Sequence, residues 1–340
     1  MSDNKKTYGQ YYTSHYKHIL QNMIIPDVKT IIEPFAGNGD LLNFVENKDI
    51  KIHCFDIDPK KENIKERDTL LNPVDYKDAF VLTNPPYLAR NKNRNKTIYN
   101  LYNENDLYKC FIRTLIDNPP IGGIIIIPLN FLSSIRKSDS KLRYDFMCIF
   151  HISLVNIFEE RVFDDTSYTI CSMQFIKREP ITDFVIGAMV YPSKKNIILH
   201  FNEKNNYTIG GDIYLLPSST YTVERLTRLN SDHAGITNIL VKCIDNDSKN
   251  KICLAFERKI YSDDSKKLSA RSYATLVIYP SLNEEKQLIL IDKFNKLLND
   301  YREQYNSLFL SNYRESNTIA RKRISFGLVY IMVSFCLNQV

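Results

Sequence analysis

The run Val81-Leu82-Thr83, followed at once by Asn84-Pro85-Pro86-Tyr87, constrains this chain more than any other stretch. A short apolar run reads as the end of a buried strand. Two consecutive prolines cannot continue a central strand, and the first biases Asn84 away from the helical region. The chain must therefore leave its sheet here in a stiff, extended loop that holds an amide side chain and an aromatic ring in place. Such a loop suits chemistry at the exocyclic amine of a nucleobase, whose lone pair is delocalised into the ring. Two acceptors aimed at the amine hydrogens favour a pyramidal nitrogen and free that pair. The Asn84 side-chain carbonyl and the Pro85 backbone carbonyl are the candidate acceptors. Tyr87 is a candidate to stack on a base drawn out of its duplex. The same four residues also make a proline-stiffened turn with a structural Asn, and alone they do not decide between the two.

Upstream, residues 28–35 read as a first buried strand. Ala36-Gly37-Asn38-Gly39-Asp40 follows, then a helical pattern in Leu41, Leu42, Phe44 and Val45. Strand, glycine loop, helix is the nucleotide-binding start of a doubly wound sheet. Gly37 and Gly39 allow close backbone approach to a ligand. The loop lacks the third glycine of a dinucleotide fingerprint and the Gly-Lys-Ser/Thr of a phosphate loop, which argues for a cofactor without a pyrophosphate or triphosphate. Lys51 to Phe55 reads as the second strand. Asp56 at its tip, 19 residues after Gly37, is placed to accept hydrogen bonds from ribose hydroxyls. Asp58-Pro59 reads as a helix start. Asp68 is either a contact for an adenine amine or an ordinary surface acid. Before all this, an aromatic-rich loop from Tyr8 to Ser14 leads into a helix expected over about 15–23.

Downstream of Tyr87, Arg90, Lys92, Arg94 and Lys96 alternate with asparagines. This flexible basic loop could clamp nucleic-acid phosphates, or be solvated without a partner. Helices are expected over 105–116 and 141–150, with a buried strand over 122–128 and another over 168–176. Phe163, just before that last strand, reads on its own as a core residue.

With 340 residues the chain has room for two domains. Its character shifts near 178–182, which sets the expected division at 1–178 and 179–340. Of the net charge of +6, residues 1–179 contribute +1 and residues 180–340 contribute +5. The basic second half suggests a polyanion-facing domain. It carries short strand patterns over 183–280, an amphipathic helix over 284–310, and Arg321-Lys322-Arg323 as candidate phosphate contacts. Seven cysteines without a CxxC pair read as free thiols in a reducing compartment, and the scattered six histidines give no metal-ligand spacing. The polar N-terminus lacks a signal-peptide core, and the run Ile324 to Cys336 is too short for a membrane span. A cytoplasmic protein, bacterial or viral in a host cell, with neither membrane nor metal as a partner, is the expectation.

These pieces, in this order, resemble the amino-methylating DNA methyltransferases of the gamma arrangement, over about residues 8–176. That family moves a methyl group from S-adenosylmethionine to the exocyclic nitrogen of adenine. The resemblance implies an α/β fold: a Rossmann-like S-adenosylmethionine-dependent methyltransferase sheet with a second, smaller mixed α+β domain. It implies cofactor contacts at Tyr12 and Thr13, at Glu33, Phe35, Gly37 and Gly39, at Asp56 and Ile57, at Asp68, and at Asn84. Asn84, Pro85, Tyr87 and Phe163 become the catalytic group, with Phe163 as the second ring that grips the extruded adenine. Asn38 departs from the pattern, standing where small residues are frequent. Residues 179–340 become the target-recognition domain, although they carry no motif of the family. The implied partners are double-stranded DNA and, in a restriction-modification system, a cognate endonuclease acting on the same site. The alternatives are an RNA adenine or protein-glutamine N-methyltransferase. No Pro-Cys nucleophile lies near position 84, which argues against methylation of a cytosine ring carbon.

Overall fold

The computed structural model describes residues 9, 13–45, 49–163, 169–232, 234–249, 251–264, 269–315 and 320–340. The chain forms two compact units, Met1–Thr208 and Ile209–Val340.

The first unit is built on one nine-stranded sheet. Its strands are β1 (Thr30–Glu33), β2 (Lys51–Asp56), β3 (Lys65–Glu66), β4 (Phe80–Thr83), β5 (Gly122–Pro128), β6 (Phe150–Phe158), β7 (Ile170–Lys177), β8 (Asp183–Tyr191) and β9 (Lys195–Asn202). Their spatial order is β3-β2-β1-β4-β5-β7-β6-β8-β9. The first five are parallel, and β7 runs antiparallel between β5 and β6. From β1 the chain builds outward to β2 and β3 on one side, and from β4 to β5 on the other. The sheet therefore has a topological switch between β1 and β4, where a crevice opens at the carboxyl ends. Every residue of β4 and β5 is buried. That is why both read as unbroken apolar runs rather than alternating ones.

Among the described residues the helices of this unit are α1 (Tyr16–Ile19), α2 (Thr97–Tyr102), α3 (Leu107–Asp117), α4 (Asn130–Ser133) and α5 (Lys137–Met147). Three expected helices are shortened or missing. The one expected over 15–23 stops at Ile19 because side chains of the sheet take its carbonyls. Ser172 Oγ donates to Ile19 O (2.6 Å) and Asn156 Nδ2 to Gln21 O (2.7 Å). Gln174 brackets Ile24, accepting from its N–H (3.2 Å) and donating to its carbonyl (3.0 Å). After the glycine loop, among the described residues, a 3-10 turn forms over Leu41–Phe44 in place of the expected helix. No helix follows Asp58: Ile64 is the only apolar residue among positions 60–66, too few for a stripe that could bury against the sheet.

The expected division at 178/179 falls instead at 208/209. The polar stretch Arg178 to Pro180 is a loop between β7 and β8. Beyond it, β8 pairs in parallel with β6, Val155 opposite Ala188, and β9 closes the hairpin antiparallel to β8.

Buried charges tie the helices to the loops. Lys109 on α3 donates to Asp139 on α5 (2.6 Å) and to Asn105 Oδ1 (2.8 Å). Burial raises the Asp139 carboxyl, but the Lys109 ammonium, with smaller help from Ser134 and Arg136, outweighs it and holds the group below its ordinary range. Arg143, wholly buried, is satisfied by carbonyls: Phe131 O (2.7 Å), Asn206 O (2.8 Å) and Ser134 O (3.1 Å). Burial pulls its guanidinium down to about 10.

The second unit holds a four-stranded antiparallel sheet of β10 (Thr222–Arg225), β11 (Ile236–Lys242), β12 (Cys253–Phe256) and β13 (Tyr273–Tyr279), ordered β10-β13-β11-β12. Helix α6 (Glu284–Gln304) packs on β11 and β12, and on helix α7 (Phe326–Leu337). Asn283 caps α6, its side chain accepting from Lys286 N (2.9 Å). A two-stranded ribbon, β14 (Ser311–Glu315) and β15 (Ala320–Arg323), joins the two helices. The apolar run at 324–336 is thus mostly α7, and among the described residues no helix is long and apolar enough to cross a membrane. The α/β sheet with a separate, smaller α+β unit is as expected.

Removing one member of a buried ion pair strands the other. Lys109→Ala should lower the unfolding free energy by about 3–5 kcal/mol in urea titrations. Lys109→Met combined with Asp139→Leu should recover most of that loss.

Candidate active site

The crevice at the switch point is walled by two strand ends. Glu33 closes β1 and Thr83 closes β4, and the strands are in register through Ile32 opposite Val81. The Thr83 hydroxyl donates to Glu33 Oε1 (2.5 Å), and Phe35 N donates to the same oxygen (3.2 Å). Glu33 Oε2 is buried without a hydrogen-bond partner among the described residues. Burial pushes this carboxyl up to about 8, against the lowering effect of its two donors, and Asp56 adds a smaller upward push.

Gly37 and Gly39 both adopt left-handed backbone, at φ +51° and +72°. Gly37 N donates to Asp56 Oδ2 (2.7 Å) and Asp58 N to Asp56 Oδ1 (2.9 Å). Gly39 N turns inward to Ala36 O (2.6 Å). Asp56 is therefore the residue that ties the glycine loop to the tip of β2. Beside it, Ile57 is 41% exposed, an apolar face at the crevice end of the strand. Asp68 is half-buried and caps a turn, its Oδ1 accepting from Leu70 N and Leu71 N (both 3.0 Å). The buried Thr69 ties that turn to the exit of β1 by donating to Pro34 O (3.0 Å). Phe35 stands edge-on to Phe111, centroids 5.1 Å apart. Tyr12 lies outside the described residues.

Asn84 is buried just beyond β4, with Pro85 and Pro86 also buried. Its Nδ2 donates to Thr13 Oγ1 (3.1 Å). The Tyr87 hydroxyl bonds Asn84 Oδ1, and also lies 2.6 Å from the Ile126 carbonyl on β5. Tyr87 N donates to Gly9 O (2.9 Å), so Gly9 and Thr13 both grip this loop. The Tyr87 ring is only 2% exposed and stands edge-on to Tyr108. It presents no open face to a base, unlike the stacking platform expected of it, because its hydroxyl is drawn inward by two oxygens. Phe163 is buried at the turn after β6.

The basic loop is braced rather than floppy. Ala89 pairs with Asp106 in an antiparallel bridge, and Leu88 N donates to Asp106 Oδ1 (3.1 Å). The Tyr99 hydroxyl donates to Leu88 O (2.8 Å). Burial pushes the Asp106 carboxyl up to about 6. Lys92 and Arg94 are exposed, and Arg90 donates to Asn100 Oδ1 (2.6 Å). Lys96 turns its ammonium into the loop, onto the carbonyls of Arg90 and Asn93, so it acts as a strut and not as an outward phosphate contact. In the second unit Arg321, Lys322 and Arg323 lie on β15. Lys322 is buried, and Arg323 donates to the Arg271 carbonyl, so this is no solvated charge run.

Sequence reading passed over Thr83, Thr69 and Asp106. A polar residue ending an all-apolar strand marks Thr83. An acid one position ahead of a helical stripe marks Asp106.

No family model matches the chain, and no curated protein matches it in sequence. Solved structures similar to it include a chain of a type I restriction-modification system, at TM-score 0.43 and 15% identity over 54% of this chain and 45% of that one. The methyltransferase subunit of the type I system of Streptococcus thermophilus aligns at TM-score 0.37 and 14% identity, over 54% of this chain and 47% of that one. The EcoKI M protein aligns at TM-score 0.39 and 14% identity, over 88% of this chain and 72% of that one. The chain thus spans under half the length of the first two.

The Glu33 carboxyl gives a pH signature. Its folded value lies near 8 and its ordinary value at 4.5. Between these the folded state holds more protons than the unfolded one, so stability falls as pH rises through that window. Glu33→Gln should flatten the slope of melting temperature against pH there. Equal slopes in both proteins would assign the titration to another group.

Proposed function

We propose that the chain is a site-specific DNA adenine-N6 methyltransferase, taking its methyl group from S-adenosylmethionine and acting on an adenine flipped out of the duplex. A restriction-modification or viral modification system is its setting, with a cognate endonuclease as the partner in the first case. The observation that carries this reading is the Asn84 amide, held by Thr13 and Tyr87 at the carboxyl end of β4, one strand from Glu33 and the glycine loop.

The crevice residues suit this cofactor. Gly37 and Gly39 commit their N–H groups to Asp56 and to Ala36 O, so the loop offers no nest for a phosphate. The buried Glu33 Oε2, with no hydrogen-bond partner among the described residues, suits an ammonium. Asp56 and Ile57 would receive the ribose side, Asp68 the adenine amine, and Thr13 with Tyr12 the carboxylate end. When bound, S-adenosylmethionine supplies an electrophilic methyl group on a sulfonium.

The chain does the rest by position. The carbonyl oxygens of Asn84 and Pro85 accept the two hydrogens of the substrate amine. With the nitrogen pyramidal, its lone pair would form the new N–C bond as the sulfonium C–S bond breaks, the sulfur keeping that electron pair as a neutral thioether. Its proton leaves after the nitrogen is cationic, so no general base is needed. Phe163 and Tyr87 grip the flipped base, which for Tyr87 requires its ring to be uncovered on binding. Arg90, Lys92 and Arg94 contact phosphates, and the second unit reads the target, with Arg321 as a backbone contact.

Incubation with labelled cofactor and duplex DNA, RNA or protein tests the reading. Label recovered as N6-methyladenine in DNA is the expected result, and Asn84→Ala should lower transfer at least about 100-fold. Cofactor affinity of that variant should change by less than about threefold. Label in RNA or in glutamine would redirect the assignment, and normal turnover by Asn84→Ala would refute it.

A further inference from the structure

We infer that the hydroxyls of Thr13 and Tyr87 are positioning groups that decide which end of the Asn84 amide meets the reacting amine. The inference rests on the methyltransferase reading. A carboxamide has nearly the same shape either way round, and only its hydrogen-bond partners set its orientation. Orientation matters here because the substrate amine brings hydrogens. The amide oxygen accepts one of them, whereas a flipped NH2 would set donor against donor.

Asn84 Nδ2 donates to Thr13 Oγ1, and Tyr87 donates to Asn84 Oδ1. The Tyr87 hydroxyl has one proton but two oxygens within reach, since Ile126 O lies 2.6 Å away. While the proton points to Asn84, the amide oxygen is pinned on the phenol side. If it turns to Ile126 O, the phenol oxygen becomes an acceptor. The amide then gains by flipping, with NH2 toward Tyr87 and oxygen toward the Thr13 hydroxyl, which donates. In each arrangement the bonds among Thr13, Asn84 and Tyr87 are matched donor to acceptor, so the two hydroxyls together bias the amide toward one of them. Water does not take over either role freely: Thr13, Asn84, Tyr87 and Ile126 are 4%, 8%, 2% and 0% exposed. Ile126 is fixed by the ladder to β7, so its carbonyl does not move away to relieve the competition. Thr13 also belongs to the segment assigned to the cofactor's carboxylate end, which couples a seated cofactor to a correctly turned amide.

Tyr87→Phe keeps the ring and removes the proton. It should lower the transfer rate about 10- to 100-fold with cofactor affinity unchanged. Thr13→Val should slow transfer as well and, because Thr13 is also assigned to the cofactor's carboxylate end, weaken cofactor binding, whereas Thr13→Ser should restore the rate to within about threefold. A second readout needs no turnover: with asparagine-selective 15N labelling, the Asn84 side-chain amide protons of the native chain should exchange slowly. Exchange should quicken at least about tenfold in Tyr87→Phe and Thr13→Val, and return in Thr13→Ser. Turnover and exchange in Tyr87→Phe matching the native chain would overturn the inference. Failure of the function itself looks different. The native chain would then transfer no methyl group to any substrate, while exchange still reported whether the hydroxyls hold the amide.

Discussion

The hydrogen bond from Thr83 to Glu33 joins two adjacent strand ends at the switch from which the parallel strands build outward to either side. Other features of the crevice are placed by it or beside it. It keeps the ends of β1 and β4 level, so that Asn84 emerges next to the chain leaving Glu33. Phe35 N joins the same carboxyl oxygen and sets the direction in which the glycine loop departs. Asp56 then holds that loop against β2, and Thr69 holds the following turn against Pro34. Four short contacts thus convert a general α/β sheet into a particular cleft. The cost is a carboxyl group buried with one oxygen lacking a hydrogen-bond partner among the described residues.

The loop after Tyr87 is supported from behind. Asp106 holds Leu88 and begins α3, and Lys109, one turn on, anchors α3 to α5 through Asp139. Arg113 repeats the device further along with Glu104 (3.1 Å) and Asp145 (2.5 Å). A chain of charged bonds therefore runs from a surface helix to the stiff proline loop. On the proposed function that stiffness matters, because a group that must meet a small amine loses most of its effect if displaced by an ångström.

The sheet was legible in the sequence where strands are buried on both faces, as at 122–128, or end in an acid that holds the glycine loop, as at Asp56. The order of strand, glycine loop and proline loop also stood in plain view. Less legible were features decided by distant partners. The helix beyond Ile19 is displaced by Ser172, Asn156 and Gln174, residues some 130 to 150 positions away. Lys96 looks like any basic loop residue until its two carbonyl partners are seen. Tyr87 invites a stacking role because sequence shows its ring and hides where its hydroxyl is drawn. The domain boundary was misplaced because a polar turn between strands has the same composition as a linker.

The hairpin of β8 and β9 carries a practical meaning for anyone dividing this chain. Val155 to Phe158 on β6 find their ladder partners in Ala188 to Tyr191. A fragment cut at 178 would leave that length of backbone as a raw, apolar border, ready to capture a neighbour's strand and precipitate. Chimaeras that exchange the C-terminal unit therefore have their natural seam thirty residues later, after Thr208, where the outermost strand is the one the fold itself provides.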